Sequence, residues 1–119
     1  IGGNLISYRD EITPNKHVEN AFDGNIYVLT SQYTFSSAMD FATVIQDNGI
    51  GKVIGETPGN MPTAYGDKLS FQLPESKLVL SVSYKKFYRA DMTKSIEPLI
   101  PDYTVDADKA EEKLVEYIK

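Results

Sequence analysis

The feature that most constrains the fold is a pair of short apolar strands separated by one helical segment. Residues 26–30 (IYVLT) are apolar or β-branched without polar alternation, which is typical of a strand buried on both faces of a parallel sheet. Residues 52–55 (KVIG) repeat this character on a shorter scale. Because parallel strands need a long crossover connection, the spacing predicts a βαβ unit and an α/β domain.

The connection between these strands is expected to be a helix over residues 36–48. Gly49 follows it as a stop signal. Ser36 and Ser37 stand where an N-cap belongs, and Ser37 with Asp40 resembles a capping box. The apolar spacing assigns one helical face to the core, namely Ala38, Phe41, Ala42 and Ile45.

In the second half of the chain, the sequence predicts a loop, a hairpin, an irregular segment and a last helix. Residues 57–66 are expected to be one long loop, and residues 68–85 an antiparallel hairpin whose first strand alternates in polarity. Residues 86–102 are expected to be irregular. Asp106 is expected to cap a last helix that places Ala107, Ala110, Leu114 and Tyr117 on one face.

Composition excludes several classes of function. The 119 residues carry a net charge of −5, which argues against nucleic acid as a partner because a phosphate-backbone binder needs a basic face. With no cysteine and one histidine, disulfides, a cysteine nucleophile and the usual metal ligand sets are excluded, so no metal or cofactor is predicted. The sequence shows neither an apolar run long enough to span a membrane nor a signal peptide.

The joint between the first strand and the helix is the strongest candidate for chemistry. A serine at a helix N-terminus has free backbone N–H groups nearby, and these can stabilise an oxyanion. Serine is also a preferred N-cap, and from these residues alone capping is the favoured interpretation of Ser36 and Ser37.

Five short motifs occur in an order and spacing that resemble a known family. The ordered set resembles the carboxy-terminal-processing (tail-specific) serine peptidases, and within them the branch with the tricorn core and the nisin-resistance peptidases. The resemblance covers about residues 22–105. Its motifs are Phe22-x-Gly24-x-Ile26-Tyr27-Val28-Leu29-Thr30, Thr34-Phe35-Ser36-Ser37-Ala38, Gln46-Asp47-Asn48, Val53-Ile54-Gly55-Glu56-Thr57 and Ile100-Pro101-Asp102.

The resemblance implies a fold and an active site. The fold would be the carboxy-terminal portion of a Clp-protease/crotonase-like ββα catalytic domain, with the βαβ unit, the hairpin and the last helix. Ser36 would be the nucleophile of a serine endopeptidase acting on a peptide or protein. The oxyanion donors would be the backbone N–H of Ser37 and that of Gly3, in the Gly2-Gly3 turn. The family also implies an extracytoplasmic or cell-envelope location, with the cytoplasm left open.

This sequence departs from the family pattern at the position of the general base. Many members use a lysine at the position that Met61 occupies here, and methionine cannot accept a proton. His17 does not match the histidine of the tricorn-like branch and is interpreted as a surface residue. Glu97 lies near the place of that branch's acidic residue, but Ser95 fits the spacing as well, and from the residues alone a surface glutamate is the favoured interpretation. The base is therefore expected outside this chain, and without that base the chain alone is expected to be inactive.

Alternatives stay open at this stage. A peptide-binding module without catalysis is the main one, because of Met61; an acyl-CoA-handling crotonase relative rests on fold analogy alone. Residues 1–119 are expected to be a single catalytic domain, or part of one that lacks its N-terminal portion, and an upstream domain of the same protein is expected. An exposed sheet edge would favour a homo-oligomer.

Overall fold

The computed structural model describes residues 3–9, 11, 13–14 and 19–118, and they form a mixed α/β structure. A parallel sheet carries three strands in the order β1 (Tyr27–Thr30), β2 (Lys52–Gly55) and β5 (Tyr103–Thr104). A separate antiparallel pair, β3 (Ala64–Gln72) and β4 (Val79–Phe87), forms a two-stranded arm. The specific ββα arrangement of the crotonase-like fold is not decided by these elements and stays a prediction.

The expected βαβ unit is confirmed. Strand β1 is Tyr27–Thr30, helix α1 is Ser37–Asp47 and strand β2 is Lys52–Gly55. The two strands pair in parallel, with Val28 opposite Val53. Gly49 has a φ of 65°, so it ends the helix in the left-handed conformation that glycine adopts without strain.

The core-facing side of α1 differs from the expected stripe. Phe41 is 58% exposed and Ala38 is also exposed, whereas Met39, Ala42, Thr43 and Ile45 are buried. The Thr43 hydroxyl donates to the carbonyl of Met39 at 2.9 Å, so a polar residue can be buried without an unpaired group. The apolar pattern alone could not show this, because it counts threonine as polar.

The arm begins earlier and ends later than the sequence predicted. Strand β3 is Ala64–Gln72 and β4 is Val79–Phe87, so three residues of the expected loop are in a strand. Its alternation is confirmed, because Phe71 pairs with Leu80 on one face and Ser70 with Ser81 on the other. However, the apolar face is also exposed. No described element covers it.

The carboxy-terminal part adds one strand that the sequence analysis missed. Strand β5 is Tyr103–Thr104 and pairs in parallel with β2. The last helix starts later than expected: a 3₁₀ turn spans Ala107–Lys109 before helix α2, Ala110–Ile118. Asp106 makes no capping hydrogen bond and instead contacts Lys109 at 2.9 Å.

A further 3₁₀ turn, Met92–Lys94, lies within the segment that was expected to be irregular. The Asp91 carboxylate accepts from the Thr93 backbone N–H at its start. Among the described residues, no helix has the length and the apolar character that crossing a membrane requires.

Candidate active site

Ser36 lies at the sharp turn between β1 and α1 in an unusual backbone conformation. Its φ is 52° and its ψ is −125°, and only two other described residues that are not glycine, Asp67 and Lys77, have a positive φ. A serine in this region is strained, and such strain concentrates at active sites and ligand clamps. A nucleophile on a strained strand-to-helix turn is the arrangement that presents a serine oxygen to a substrate.

The capping interpretation of the two serines is wrong for the described structure. Ser36 is the N-cap by position, but its side chain makes no capping hydrogen bond, and the residue is exposed. The expected Ser37–Asp40 capping box does not form, because the helix already begins at Ser37. The contact in this turn is between backbone groups: the Asp40 N–H donates to the Ser36 carbonyl at 2.9 Å.

The Ser37 backbone N–H is available to a ligand in the first turn of α1. The neighbouring amides of Ala38 and Asp40 donate to Phe35 and Ser36 respectively. The Ser37 amide has no acceptor among the described residues. Helix geometry leaves such first-turn amides unpaired, and here the unpaired amide directly follows the strained serine.

The loop that leads to Ser36 is held in place by a network of short contacts. The Ser31 N–H donates to the Thr34 hydroxyl and the Thr34 N–H to the Ser31 carbonyl, both at 2.9 Å. From the end of β2, the Glu56 carboxylate accepts the Gln32 N–H at 2.9 Å. Gly59 packs so closely on the Gln32 carbonyl that a Cβ there would lie 2.5 Å from the oxygen.

Two clefts are bounded by residues of the elements that precede and follow Ser36, although Ser36 itself lines neither. One, of about 130 Å³, is bounded by Asp40 and Val44 of α1 and by Pro62, Phe87 and Tyr88 near the base of the arm. Burial raises the pKa of Asp40 above its usual value.

The second cleft, of about 410 Å³, lies at the carboxyl end of β1. Thr30, Ser31 and Thr34 bound it on one side and Ala107 and Asp108 on the other. Carboxyl ends of parallel strands are where α/β proteins bind ligands. The loop that precedes Ser36 therefore lines this cleft through Ser31 and Thr34.

The contacts of the other predicted site residues, Gly3 and Glu97, do not include Ser36 in the described structure. Gly3 is exposed, and a Cβ built on it would meet no atom within 4 Å. Glu97 is exposed too; its backbone carbonyl accepts from Arg89 at 3.3 Å. Gly2 and His17 lie outside the described residues. The roles expected for Gly3 and Glu97 stay predictions.

A buried ion pair that the sequence did not predict orders the segment carrying Glu97. The Arg89 guanidinium holds the Asp47 carboxylate at 2.8 Å, and the two side chains are 2% and 1% exposed. Burial raises the pKa of Asp47, but the hydrogen bonds from Arg89 and from the Asp91 N–H outweigh it, so the pKa lies below its usual value. Arg89 also donates to the Glu97 and Pro98 carbonyls.

The Ile-Pro-Asp motif has a structural role of the same kind. Asp102 accepts the Val53 N–H at 2.9 Å and the Gln46 amide at 3.1 Å, and it pairs with Lys52 at 2.9 Å. Burial acts to raise the pKa of Asp102, yet these donors together lower it. No sequence signal links the three donors, which come from α1 and β2.

The described fold is thus mixed α/β, and its loop between β1 and α1 ends in a strained, exposed serine. The chain belongs to peptidase family S41, whose family model matches residues 3–105. This match confirms the serine peptidase family expected from the motifs. No curated protein matches the chain.

Proposed function

We propose that this chain is the catalytic domain of a serine endopeptidase of the tail-specific type, with Ser36 as its nucleophile. The observation that carries this proposal is the strained backbone of Ser36, at φ 52°, with a side chain that does not cap the helix. A capping serine would gain a hydrogen bond from such a position, whereas a nucleophile needs an exposed oxygen.

In the proposed reaction, the Ser36 oxygen attacks the carbonyl carbon of a peptide bond. The oxyanion that forms accepts a hydrogen bond from the Ser37 N–H, and a second donor is the N–H of Gly3. The unpaired Ser37 amide supports this assignment. Each such donor is worth roughly 3–4 kcal/mol of transition-state stabilisation in measured enzymes.

The proton of the Ser36 hydroxyl needs a base, and the proposal places that base outside residues 1–119. Met61 occupies the lysine position of many relatives and cannot serve. Glu97 is proposed to orient a histidine base, as in the tricorn and nisin-resistance branch. The upstream part of the protein would supply that histidine, and the location would be extracytoplasmic or at the cell envelope.

The test is covalent labelling of the full-length protein with a fluorophosphonate, followed by mass spectrometry of the peptide that contains Ser36. We expect the label on Ser36 in the wild type and none in Ser36→Ala. Ser83→Ala is the matched control, because Ser83 is exposed on the arm, away from the turn. A label that persists in Ser36→Ala would refute the assignment.

The alternative function is a peptide-binding module without catalysis, which Met61 favours. On that alternative, the full-length protein binds a peptide but neither hydrolyses it nor reacts with the fluorophosphonate. Peptide binding measured together with turnover therefore separates the two functions.

A further inference from the structure

We infer that Glu56 is a positioning residue for the Ser36 turn. This inference rests on the proposed nucleophile. The inference goes beyond that role by assigning the position of the turn to a carboxylate that follows a different strand. Glu56 directly follows β2, which is the neighbour of the strand that leads to Ser36.

Both the backbone and the side chain of Glu56 hold the end of β1. The Glu56 N–H donates to the Thr30 carbonyl at 3.0 Å, and the Thr30 hydroxyl donates back to the Glu56 carbonyl at 2.8 Å. Thr30 is 3% exposed, so this pair of bonds is shielded from water. The last residue of β1 is thereby tied to Glu56 at two points.

The carboxylate extends this connection into the loop itself. One oxygen, Oε2, accepts the Gln32 N–H at 2.9 Å, and the other, Oε1, accepts the Ala107 N–H at 3.4 Å. A carboxylate can accept on both oxygens at once. Glu56 therefore links the loop before Ser36 to the segment that leads into α2.

No neutral or shorter side chain reproduces this contact. A glutamine side chain accepts hydrogen bonds only through its one carbonyl oxygen. Its NH₂ group would therefore face either the Gln32 N–H or the Ala107 N–H, and a donor cannot bond to a donor. Aspartate keeps the charge but is one methylene shorter. Glu56→Gln and Glu56→Asp thus remove the bridge in two different ways, while leaving the backbone bonds to Thr30 available.

The packing around the loop favours a role in geometry over a role in overall stability. Gly59, in the loop after β2, lies so close to the Gln32 carbonyl that a Cβ there would clash with it, so this contact blocks movement of the loop towards Gly59. A loop released by Glu56 is therefore expected to move away from Gly59, and Ser36 would move with it. A misplacement of about 1 Å at a reacting group can cost on the order of a hundredfold in rate.

The experiment compares wild type, Glu56→Gln, Glu56→Asp and the control Glu75→Gln in the full-length protein. Glu75 lies in the exposed turn of the arm between β3 and β4. We expect both Glu56 variants to lower the rate of fluorophosphonate labelling and kcat roughly ten- to hundredfold with KM nearly unchanged, and Glu75→Gln to change neither.

Amide hydrogen exchange gives a readout that does not depend on catalysis. We expect faster exchange over residues 31–37 in both Glu56 variants than in the wild type or Glu75→Gln. Unchanged exchange, or a labelling rate within twofold of the wild type, overturns the inference. Faster exchange in a protein whose Ser36 never reacts would instead refute the proposed nucleophile and leave the positioning role standing.

Discussion

Ser36 differs from an ordinary helix-capping serine in two ways that are visible at the scale of one residue. Its φ is positive, and its side chain does not hydrogen-bond to the helix. Strain of this kind costs on the order of 1–3 kcal/mol and persists only where the surrounding structure enforces it. On the inference that Glu56 positions this turn, its contact with Gln32 contributes to that enforcement, and Gly59 packs against the same residue.

Replacing Ser36 by glycine should therefore stabilise the domain while abolishing any reaction at this position. Glycine adopts a positive φ without steric cost, and the gain is reduced by its larger entropy loss on folding. We expect Ser36→Gly to raise the free energy of unfolding by about 1 kcal/mol.

Urea denaturation would measure this difference, with Ser36→Ala as the control. Alanine retains the Cβ, and so it retains the strain. Ser36→Gly would contradict the expectation if it were less stable than Ser36→Ala.

At the scale of elements, one buried ion pair joins α1 to the segment after the arm. Asp47 ends the helix, and Arg89 follows β4 by two residues. Arg89 then reaches the carbonyls of Glu97 and Pro98, which precede the buried Leu99. The position of the segment that carries Glu97 depends on this pair.

Removing one partner should leave a buried charge without compensation. We expect Arg89→Ala to lower the free energy of unfolding by roughly 3–5 kcal/mol, measured by urea denaturation. The matched control is Lys85→Ala, since the Lys85–Asp67 pair is exposed on both sides and such pairs contribute about 0–1 kcal/mol. Equal losses in the two variants would show that the Arg89 pair is not shielded from water.

The same pair predicts a dependence of stability on pH. The pKa of Asp47 is lower in the folded state than in an unfolded chain, where it is about 3.9. The ionised Asp47 carboxylate therefore makes its full contribution to the free energy of unfolding at pH values above the unfolded-state pKa. It is lost as the pH falls through the folded-state pKa.

Acid titration of the wild type against Asp47→Asn would measure this contribution. We expect the difference in stability between the two proteins to shrink below about pH 4. A difference that stays constant down to pH 2 would contradict this linkage.

At the scale of the whole molecule, the chain is more extended than a compact domain of its length. The radius of gyration is 18.5 Å, against about 13–14 Å expected for 119 residues. The arm contributes an apolar face that no described element covers. Its members are Leu69, Phe71, Leu73, Leu78, Leu80 and Val82.

Truncations on this face should cost little stability compared with the core. Phe71 and Leu80 face each other across the strands and are 50% and 47% exposed, whereas Leu99 is fully buried. We expect Phe71→Ser and Leu80→Ser each to cost less than about 1 kcal/mol and Leu99→Ala about 2–5 kcal/mol.

The arm variants should also reduce the binding of a hydrophobic dye, because they remove exposed apolar surface. If Phe71→Ser or Leu80→Ser lowered the free energy of unfolding as much as Leu99→Ala does, the apolar face of the arm would have to be covered in solution. The homo-oligomer through the free edge of β1 stays a separate prediction. Among the described strands, β1 pairs on one side only.

The sequence alone determined the local elements and the family. The βαβ unit, the hairpin and the last helix follow from periodicity and turn residues, which act over a few positions. The motif order pointed to the serine peptidases, which the match to family S41 confirms. Ser36 was found as a candidate because its place between strand and helix is visible in the sequence.

Only the tertiary structure decided which groups meet. The pattern of apolar residues did not predict that Thr43 is buried and Phe41 exposed. Nor did it predict that Asp47 pairs with Arg89 or that Glu56 contacts Gln32, because these partners lie far apart in the sequence. The strained turn at Ser36 has the same origin. A local pattern favours a cap there, whereas the folded chain holds Ser36 in a conformation that the isolated segment would avoid.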